Sequence, residues 1–156
     1  YNIIEEVDGF YGAAGFIKRK VVEDIGLFNR YYFMYQEEFE FSRRAKIAGW
    51  KIIYNPDAIA YHYHSASSKK YSILKTYFSI RNYVQNTFQF LDFKEVIKAH
   101  FNFFLKFSES KNAAGKKVRI NKLQKFILFF VIIYAYIMGI ILSIPVMIKK
   151  IKLLQN

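Results

Sequence analysis

The chain contains no cysteine, which excludes disulfide bonds and cysteine-ligated zinc and is compatible with a reducing compartment. It also lacks internal repeats and low-complexity tracts. Hydrophobic residues make up 53% of its 156 residues, too large a share for a disordered chain. This length is sufficient for a domain with a hydrophobic core.

Acidic residues are scarce in the second half of the chain. Residues 66–156 contain 16 basic residues (Lys or Arg) and 3 acidic residues (Asp or Glu). Residues 1–65 contain 8 basic and 9 acidic residues. The formal net charge of +12 therefore comes from one half, and basic flanks around an apolar segment suit an anionic membrane surface. Lysines and aromatics alternate over 69–107, but no nucleic-acid-binding motif accompanies them, and we expect no nucleic-acid partner.

Residues 126–148 contain no charged side chain, and as a helix they could span a hydrocarbon core of about 30 Å. Uniform apolarity favours a spanning helix over an in-plane anchor, which should show a polar face. A buried helix pair, an in-plane anchor and a re-entrant hairpin remain alternatives. Both flanks are basic, so charge assigns no orientation.

Local patterns predict short elements in the first half and helices in the second. Helices are expected over 18–25, with Gly26 as the stop signal, over 37–48, with Gly49 after it, and over 71–107. On the second of these, Phe41, Ala45 and Ala48 should share a face. Strands are expected over 3–7, 10–17, 51–54 and 58–61, the last two flanking an Asn55-Pro56-Asp57 turn. Small residues at 12–15 would let the backbone approach a ligand or another strand closely.

The segment 35–44 concentrates three carboxylates and two arginines in ten residues. On a helix, Glu37 and Glu40 share a face, as do Glu40 and Arg44, while Glu38 points elsewhere. This pattern fits a solvated helix start with an ordinary ion pair. The alternative is an acid that removes a proton from an acceptor hydroxyl as a general base.

Two histidines, His62 and His64, lie two residues apart near the end of an expected strand. On a strand their side chains would project to one face and could contribute to a metal site. Two ligands are few for a metal ion, and a hydrogen-bonded structural histidine is the alternative.

Several spaced motifs together resemble one family. The chain reads Glu37-Glu38-Phe39-Glu40-Phe41-Ser42-Arg43-Arg44, then Gly49-Trp50, Pro56 and His62. Asp8, Gly12-Ala13-Ala14, Ile25 to Phe28 and Phe33-Met34-Tyr35 precede it, and His62-x-x-Ser65-x-Ser67 and Tyr77-Phe78-x-x-Arg81-Asn82 follow. Over about residues 3–90 this resembles the family 2 glycosyltransferases of the rhamnosyltransferase-like kind. Two departures are Glu38, where the family has Asp, and Phe28-Asn29-Arg30, where it has Phe-Asp-Glu.

The resemblance implies roles for individual residues. Glu38 occupies the position of the family's proposed general base, with Glu37 and Arg44 in support. His62 matches the histidine that completes the coordination of a divalent cation, Mg²⁺ or Mn²⁺, held mainly by an Asp-x-Asp motif that is absent from this chain. Substrate contacts are expected from Glu40, Trp50, His64, Ser67 and Arg81.

The resemblance also implies an α/β fold class, the C-terminal half of a GT-A (Rossmann-like) glycosyltransferase domain followed by a helical, membrane-associated tail. The expected domains are a catalytic part (1–90), a basic helical linker (91–125), a hydrophobic membrane helix (126–148) and a basic tail (149–156). Because Asp-x-Asp and a nucleotide-binding half are missing, we expect the chain to be a piece of a longer protein.

The function implied is inverting transfer of a sugar, hexosyl or rhamnosyl, from a nucleotide-diphosphate donor. The acceptor would be a hydroxyl of a cell-surface polysaccharide or lipid-linked glycan at the cytoplasmic face of the cell membrane. Two alternatives from other classes remain. One is a non-catalytic or split membrane-anchored subunit that needs a separate donor-binding chain, and the other is a polyanion binder.

Overall fold

A computed structural model describes residues 2–62, 73–107 and 121–154 of the chain. Within it the chain divides into two compact units, residues 1–75 and residues 76–156. We call them the first unit and the helical unit. Each has its own cluster of buried apolar side chains.

The described residues form two short strands and five helices. The strands are β1 (Glu5–Glu6) and β2 (Ile53–Tyr54), and the helices are α1 (Arg19–Ile25), α2 (Glu37–Ile47), α3 (Ile73–Phe90), α4 (Phe93–Phe107) and α5 (Lys122–Leu154). β1 and β2 pair antiparallel with Glu5 opposite Tyr54, and the Val7 amide extends the pair by donating to the Ile52 carbonyl at 2.9 Å. The described part is thus mainly helical, with a two-stranded sheet in place of the larger α/β sheet expected.

The first unit is built on the packing of α1 against α2. Phe41 and Ala45, one turn apart on α2, are buried with Val21 of α1, as their spacing predicts. Ala48 was expected on the same face but is exposed, because α2 ends at Ile47 and Ala48 is its C-terminal cap. Gly26 ends α1 with φ of 78°, a left-handed conformation that glycine adopts without steric cost.

Two of the predicted strands do not form. Over 10–17 the chain turns back on itself, since the Ala14 amide donates to the Tyr11 carbonyl and Gly15 lies directly against the Phe10 ring. Over 58–61 the chain is irregular after a turn at Asn55, whose side chain accepts from the Asp57 amide as the sequence predicts. Apolar residues are present in both segments, but among the described residues neither segment pairs with a strand.

The helical unit is organised around the packing of α3 against the middle of α5. Ile80 and Val84 of α3 form a buried cluster with Ile132 and Ala135 of α5. The two backbones approach closely at Gly139, where a Cβ atom would lie 2.8 Å from the Arg81 carbonyl oxygen and 2.7 Å from the Val84 Cβ. A glycine is therefore required at this helix crossing.

A polar network connects α4 to both neighbouring helices. Thr87 of α3 donates to the Val84 carbonyl at 2.7 Å, so its oxygen accepts from His100 Nε2 at 2.8 Å. Tyr136 of α5 donates to His100 Nδ1 at 2.6 Å. Both ring nitrogens are thus satisfied in the neutral imidazole, and burial lowers the pKa of His100.

Reciprocal side-chain caps mark where the second-half helices begin. Glu95 and Asp92 exchange amide-to-carboxylate bonds of 2.8 and 3.0 Å at the start of α4, which divides the single helical pattern expected over 71–107 into α3 and α4. Asn121 and Gln124 form the equivalent box at α5. Lys150 Nζ donates to the Phe88 and Leu91 carbonyls, which caps the C-terminal end of α3.

The helix α5 is long and apolar enough to cross a membrane over Lys122–Lys150, judged by length and composition among the described residues. Only 22% of its most apolar segment is buried against the rest of the structure. The core helix of a globular domain would be mostly buried, so α5 presents apolar surface that the described residues leave uncovered.

We predict that Gly139→Leu destabilises the helical unit. The new Cβ meets a backbone carbonyl, and overpacking of this kind costs about 1–3 kcal/mol. This loss should be seen even though leucine has the higher intrinsic helix propensity, by about 1 kcal/mol. Ile141→Leu, two positions along on the exposed side, is the matched control. Equal melting temperatures for the two variants, followed by helical circular dichroism, would contradict the assigned packing.

Candidate functional site

The acidic helix α2 begins in a strained backbone conformation. Tyr35 and Gln36 have φ of 64° and 69°, both in the left-handed region that non-glycine residues rarely enter. Each such residue costs on the order of 1–3 kcal/mol and persists only where the surroundings enforce it. The conformation turns the chain sharply, so that Glu37 and Glu38 lie in the first turn of α2.

Residues 8–12 run along one face of α2, a line of contact that we call the seam. Asp8 accepts from Lys46 Nζ at 2.6 Å, and this hydrogen bond and the lysine charge lower the pKa of Asp8. Gly9 lies against Ser42, where a Cβ would come 3.3 Å from Oγ. At the other end, a Cβ on Gly12 would lie 3.9 Å from the side chain of Glu38.

The α2 residues of the seam are four apart in sequence, so Glu38, Ser42 and Lys46 lie on one face of the helix. Ser42 is fully buried and donates to the Glu38 carbonyl at 2.6 Å. Ser42 thus lies against Gly9 and is hydrogen-bonded to the backbone of Glu38, while Gly12 lies near the Glu38 side chain.

Glu38 presents a buried carboxylate oxygen. Its Oε2 atom is inaccessible to solvent and has no hydrogen-bond partner in the part of the chain that the structure describes. A buried polar atom without a partner is costly, and Gln85 of the helical unit carries another one among the described residues. Glu38 as a whole is only partly buried, so a bound hydroxyl group would reach its carboxylate from the exposed side.

Glu37 also has a buried carboxylate oxygen, as Glu38 does. Its Oε2 has no hydrogen-bond partner among the described residues. Burial raises the pKa of Glu37, and the nearby charge of Glu38 raises it further. This environment therefore favours the protonated form of Glu37.

Glu40 and Arg44 form a structural connection between α2 and α1. Arg44 Nε donates to Glu40 Oε1 at 2.8 Å, and the side chain of Glu40 is 1% exposed. The other guanidinium nitrogens donate to the carbonyls of Ile25 and Leu27, the latter at 2.8 Å. These contacts account for both residues as parts of the α1–α2 packing. The predicted roles of Glu40 in substrate binding and of Arg44 in catalysis stay predictions.

Trp50 also makes a contact between elements. Its Nε1 donates to Asp24 Oδ2 at 2.7 Å, and its ring packs against the cluster of Val21, Phe41 and Ala45. The side chain joins the end of α2 to α1, and its predicted part in substrate binding stays a prediction.

The remaining predicted residues are not brought together by the described structure. Arg81 belongs to the helical unit, where it is 9% exposed, donates to Asn82 Oδ1 and lies over the rings of Tyr77 and Phe78. His62 is exposed and lies in an irregular segment rather than on a strand. His64 and Ser67 lie outside the described residues.

The described residues do not form a metal site on their own. Across 2–62, 73–107 and 121–154, no three His, Cys, Asp or Glu side chains are grouped so that they could hold an ion. His62 alone is too few ligands for Mg²⁺ or Mn²⁺, which prefer six oxygen-rich positions. No step of the reaction proposed below is therefore assigned to a metal ion.

Sequence reasoning missed the seam, although its signals were visible. Asp8, Gly9 and Gly12 were noted as family residues or as a strand break, and the spacing 38, 42, 46 marks a helix face. The small residues at 12–15 were expected to approach a ligand or a strand, whereas Gly12 approaches the helix α2 instead.

Comparison with known proteins places the seam and α2 within one family. Residues 6–77 match the family model described as glycosyltransferase like family 2. This region belongs to glycosyltransferase family 2. The match includes the acids of α2 and their seam, and the family supports a transferase that uses a nucleotide-sugar donor and a glycan acceptor. No curated protein and no solved structure matches the chain.

We predict that Arg44→Met destabilises the first unit by about 3 kcal/mol. Removing one member of a buried ion pair leaves Glu40 charged without its partner. Arg43→Met is the control, because the Arg43 guanidinium lies over the Phe39 ring and its loss costs about 1 kcal/mol. Chemical denaturation measures both. A stable but inactive Arg44→Met variant would instead indicate a role in the reaction.

We also predict that Glu37→Gln stabilises the protein at pH 7. The pKa of Glu37 is raised in the folded state, so folding favours its protonated form. That contribution is complete below the unfolded pKa of 4.5 and is lost as the pH rises through the folded pKa. A neutral glutamine removes the dependence.

The measurement is the melting temperature of both forms between pH 7.5 and pH 4. The advantage of Glu37→Gln should be largest at the upper end and shrink as the pH falls. Glu23→Gln, an exposed acid on α1 paired with Arg19, serves as the control. An advantage that is independent of pH would show that the carboxylate charge is not its cause.

Proposed function

We propose that this chain carries the acceptor side of an inverting glycosyltransferase site, with Glu38 as the general base. Its carboxylate takes the proton from an acceptor hydroxyl as that oxygen attacks the anomeric carbon of the donor sugar. The new carbon–oxygen bond forms as the bond from carbon to the diphosphate breaks, and the nucleoside diphosphate leaves with that electron pair. Attack opposite the leaving group inverts the anomeric centre.

The observation that carries the proposal is the partly buried carboxylate of Glu38 in the first turn of α2, whose Oε2 has no partner among the described residues. A general base must be held within hydrogen-bond reach of the proton that it removes, and small misplacements are costly. The contact of Ser42 with Gly9 and its hydrogen bond to the Glu38 carbonyl support that placement. The family match supports the reaction class.

Glu37 acts in this proposal as a second acid that tunes the first. Burial is the main cause of its raised pKa, and the charge of Glu38 raises that pKa further. Protonation of Glu37 would remove a negative charge from beside Glu38. Glu37 is thus a positioning and tuning residue rather than a second base.

The substrates are a nucleotide-diphosphate sugar, hexosyl or rhamnosyl, and a hydroxyl of a cell-surface polysaccharide or lipid-linked glycan. We place the protein at the cytoplasmic face of the cell membrane, attached through α5. The exposed apolar surface of α5 and its basic ends support membrane attachment. Attachment would confine the enzyme to the surface where a lipid-linked acceptor is found.

The test is Glu38→Gln in the full gene product, assayed in membranes of its source cells. Release of nucleoside diphosphate is measured from a panel of UDP-, GDP- and dTDP-sugars. Loss of a general base should lower kcat by about 10²–10⁴-fold and leave KM for the donor unchanged. Glu38→Asp should retain activity, because the shorter acid still accepts a proton.

Glu23→Gln is the matched control, since it makes the same chemical change at an exposed carboxylate on the neighbouring helix. Wild-type turnover by Glu38→Gln would overturn the assignment of the base. Activity of the wild-type chain only after addition of a separate donor-binding chain would favour the split-subunit alternative.

A further inference from the structure

The helix α4 carries an exposed apolar stripe on the side that faces away from α3 and α5. Its members, Phe93, Ile97, Phe101 and Leu105, are 77%, 55%, 63% and 56% exposed. They are four residues apart, so they lie along one side of the helix. Val96, which is buried, and Phe103, which packs on the α3–α5 cluster, occupy another side. The helix is therefore apolar on both its inward and its outward faces.

The outward face of α5 has the same character. Its inner face packs through Ile132, Ala135 and Gly139, while large apolar side chains on the other side are exposed. These exposed residues include Phe126, Phe130, Ile133, Ile137, Ile141 and Ile148. No charged residue interrupts this face between 126 and 148. Water would solvate neither surface well, which indicates a partner that is apolar over a large area.

Basic side chains border both apolar surfaces. Lys94 and Lys98 each follow a stripe residue and are exposed, and Lys122 and Lys149 are exposed at the two ends of the apolar part of α5. A second copy of the chain, placed face to face on these surfaces, would bring lysines against lysines. An anionic lipid surface instead offers acyl chains to the apolar residues and negative headgroups to the lysines.

The packing of α3 argues against a perpendicular orientation of α5. Ile80 and Val84 of α3 contact the middle of α5, near Ala135 and Gly139. If α5 crossed the bilayer, its contact with α3 near Ala135 and Gly139 would lie close to the bilayer centre. The side chain of Arg81 on α3 would then lie at that depth. A charged side chain at that depth is costly and rare. An orientation of α5 along the surface keeps α3 out of the hydrocarbon.

We propose that the helical unit is monotopic: α5 lies in the membrane interface without crossing it, and the α4 stripe is a second lipid contact. Both ends of α5 then lie on the same side of the membrane. From Lys122 to Lys149 the helix runs about 40 Å, so a crossing helix would place those two residues on opposite sides. The inference rests on the membrane attachment proposed above and is independent of the transfer chemistry.

The first experiment determines on which side the two ends of α5 lie. Lys122→Cys and Lys149→Cys are matched exposed lysines, and the chain has no cysteine that would need to be removed first. Each variant of the full gene product is treated with a membrane-impermeant maleimide in intact and in permeabilised source cells. We expect both positions to be protected in intact cells and labelled after permeabilisation. Labelling of one position but not the other in intact cells would overturn the proposal.

The second experiment tests the α4 stripe directly. Phe101→Cys and Asn102→Cys are adjacent exposed positions, one in the stripe and one beside it. Each is labelled with the environment-sensitive fluorophore NBD and mixed with vesicles of phosphatidylglycerol and phosphatidylethanolamine. Emission should increase and shift to the blue at position 101 and stay nearly unchanged at position 102. Equal responses, or none at position 101, would remove α4 from the lipid contact.

Flotation with the same vesicles separates the two levels of inference. Failure of the wild-type chain to float would overturn membrane attachment itself, and with it the monotopic arrangement. Flotation together with opposite-side labelling would preserve attachment and overturn only the arrangement. Neither result bears on Glu38, whose role is measured by release of nucleoside diphosphate.

Discussion

The seam between residues 8–12 and α2 is the contact on which the candidate site depends. It joins Asp8 to Lys46, Gly9 to Ser42 and Gly12 to Glu38, along one face of one helix. The ion pair at the open end is exposed and weak, whereas the contacts at Ser42 and Glu38 are enclosed. Close packing is therefore tightest at Gly9, where a Cβ would lie 3.3 Å from Ser42 Oγ.

Four consecutive residues at the start of α2 have backbone conformations or buried polar atoms that are energetically unfavourable. The backbones of Tyr35 and Gln36 are in the left-handed region. Glu37 and Glu38 each have a buried Oε2 atom without a hydrogen-bond partner among the described residues. The α1–α2 packing offsets this, through the buried Phe41 and the guanidinium of Arg44, which bonds Glu40 and two carbonyls. Local strain sustained by a well-packed neighbour is typical of functional sites.

The helices could be predicted from the sequence because their signals are local. Gly26 marks the end of α1 and Gly49 follows the end of α2, while the periodicity of Phe41 and Ala45 gave the buried face of α2. Asp92 and Glu95 form a capping box that marks the start of α4, although the helical pattern of the sequence predicts one continuous helix across them. The prediction of strands at 10–17 and 58–61 was wrong, because a strand forms only where a partner elsewhere in the chain pairs with it. The motif gave the acids of the site, but their burial depends on a loop thirty residues away.

The spacing of the seam limits how this region can vary. Glu38, Ser42 and Lys46 face the loop only because eight residues of continuous helix separate the first from the last. One residue inserted or deleted between them would rotate everything beyond it by about 100° and remove at least one contact. The irregular segment at 55–62 has no such register, so length changes are tolerated there far more readily. Changes in the length of α2 would therefore be tolerated less readily than changes in the length of this segment.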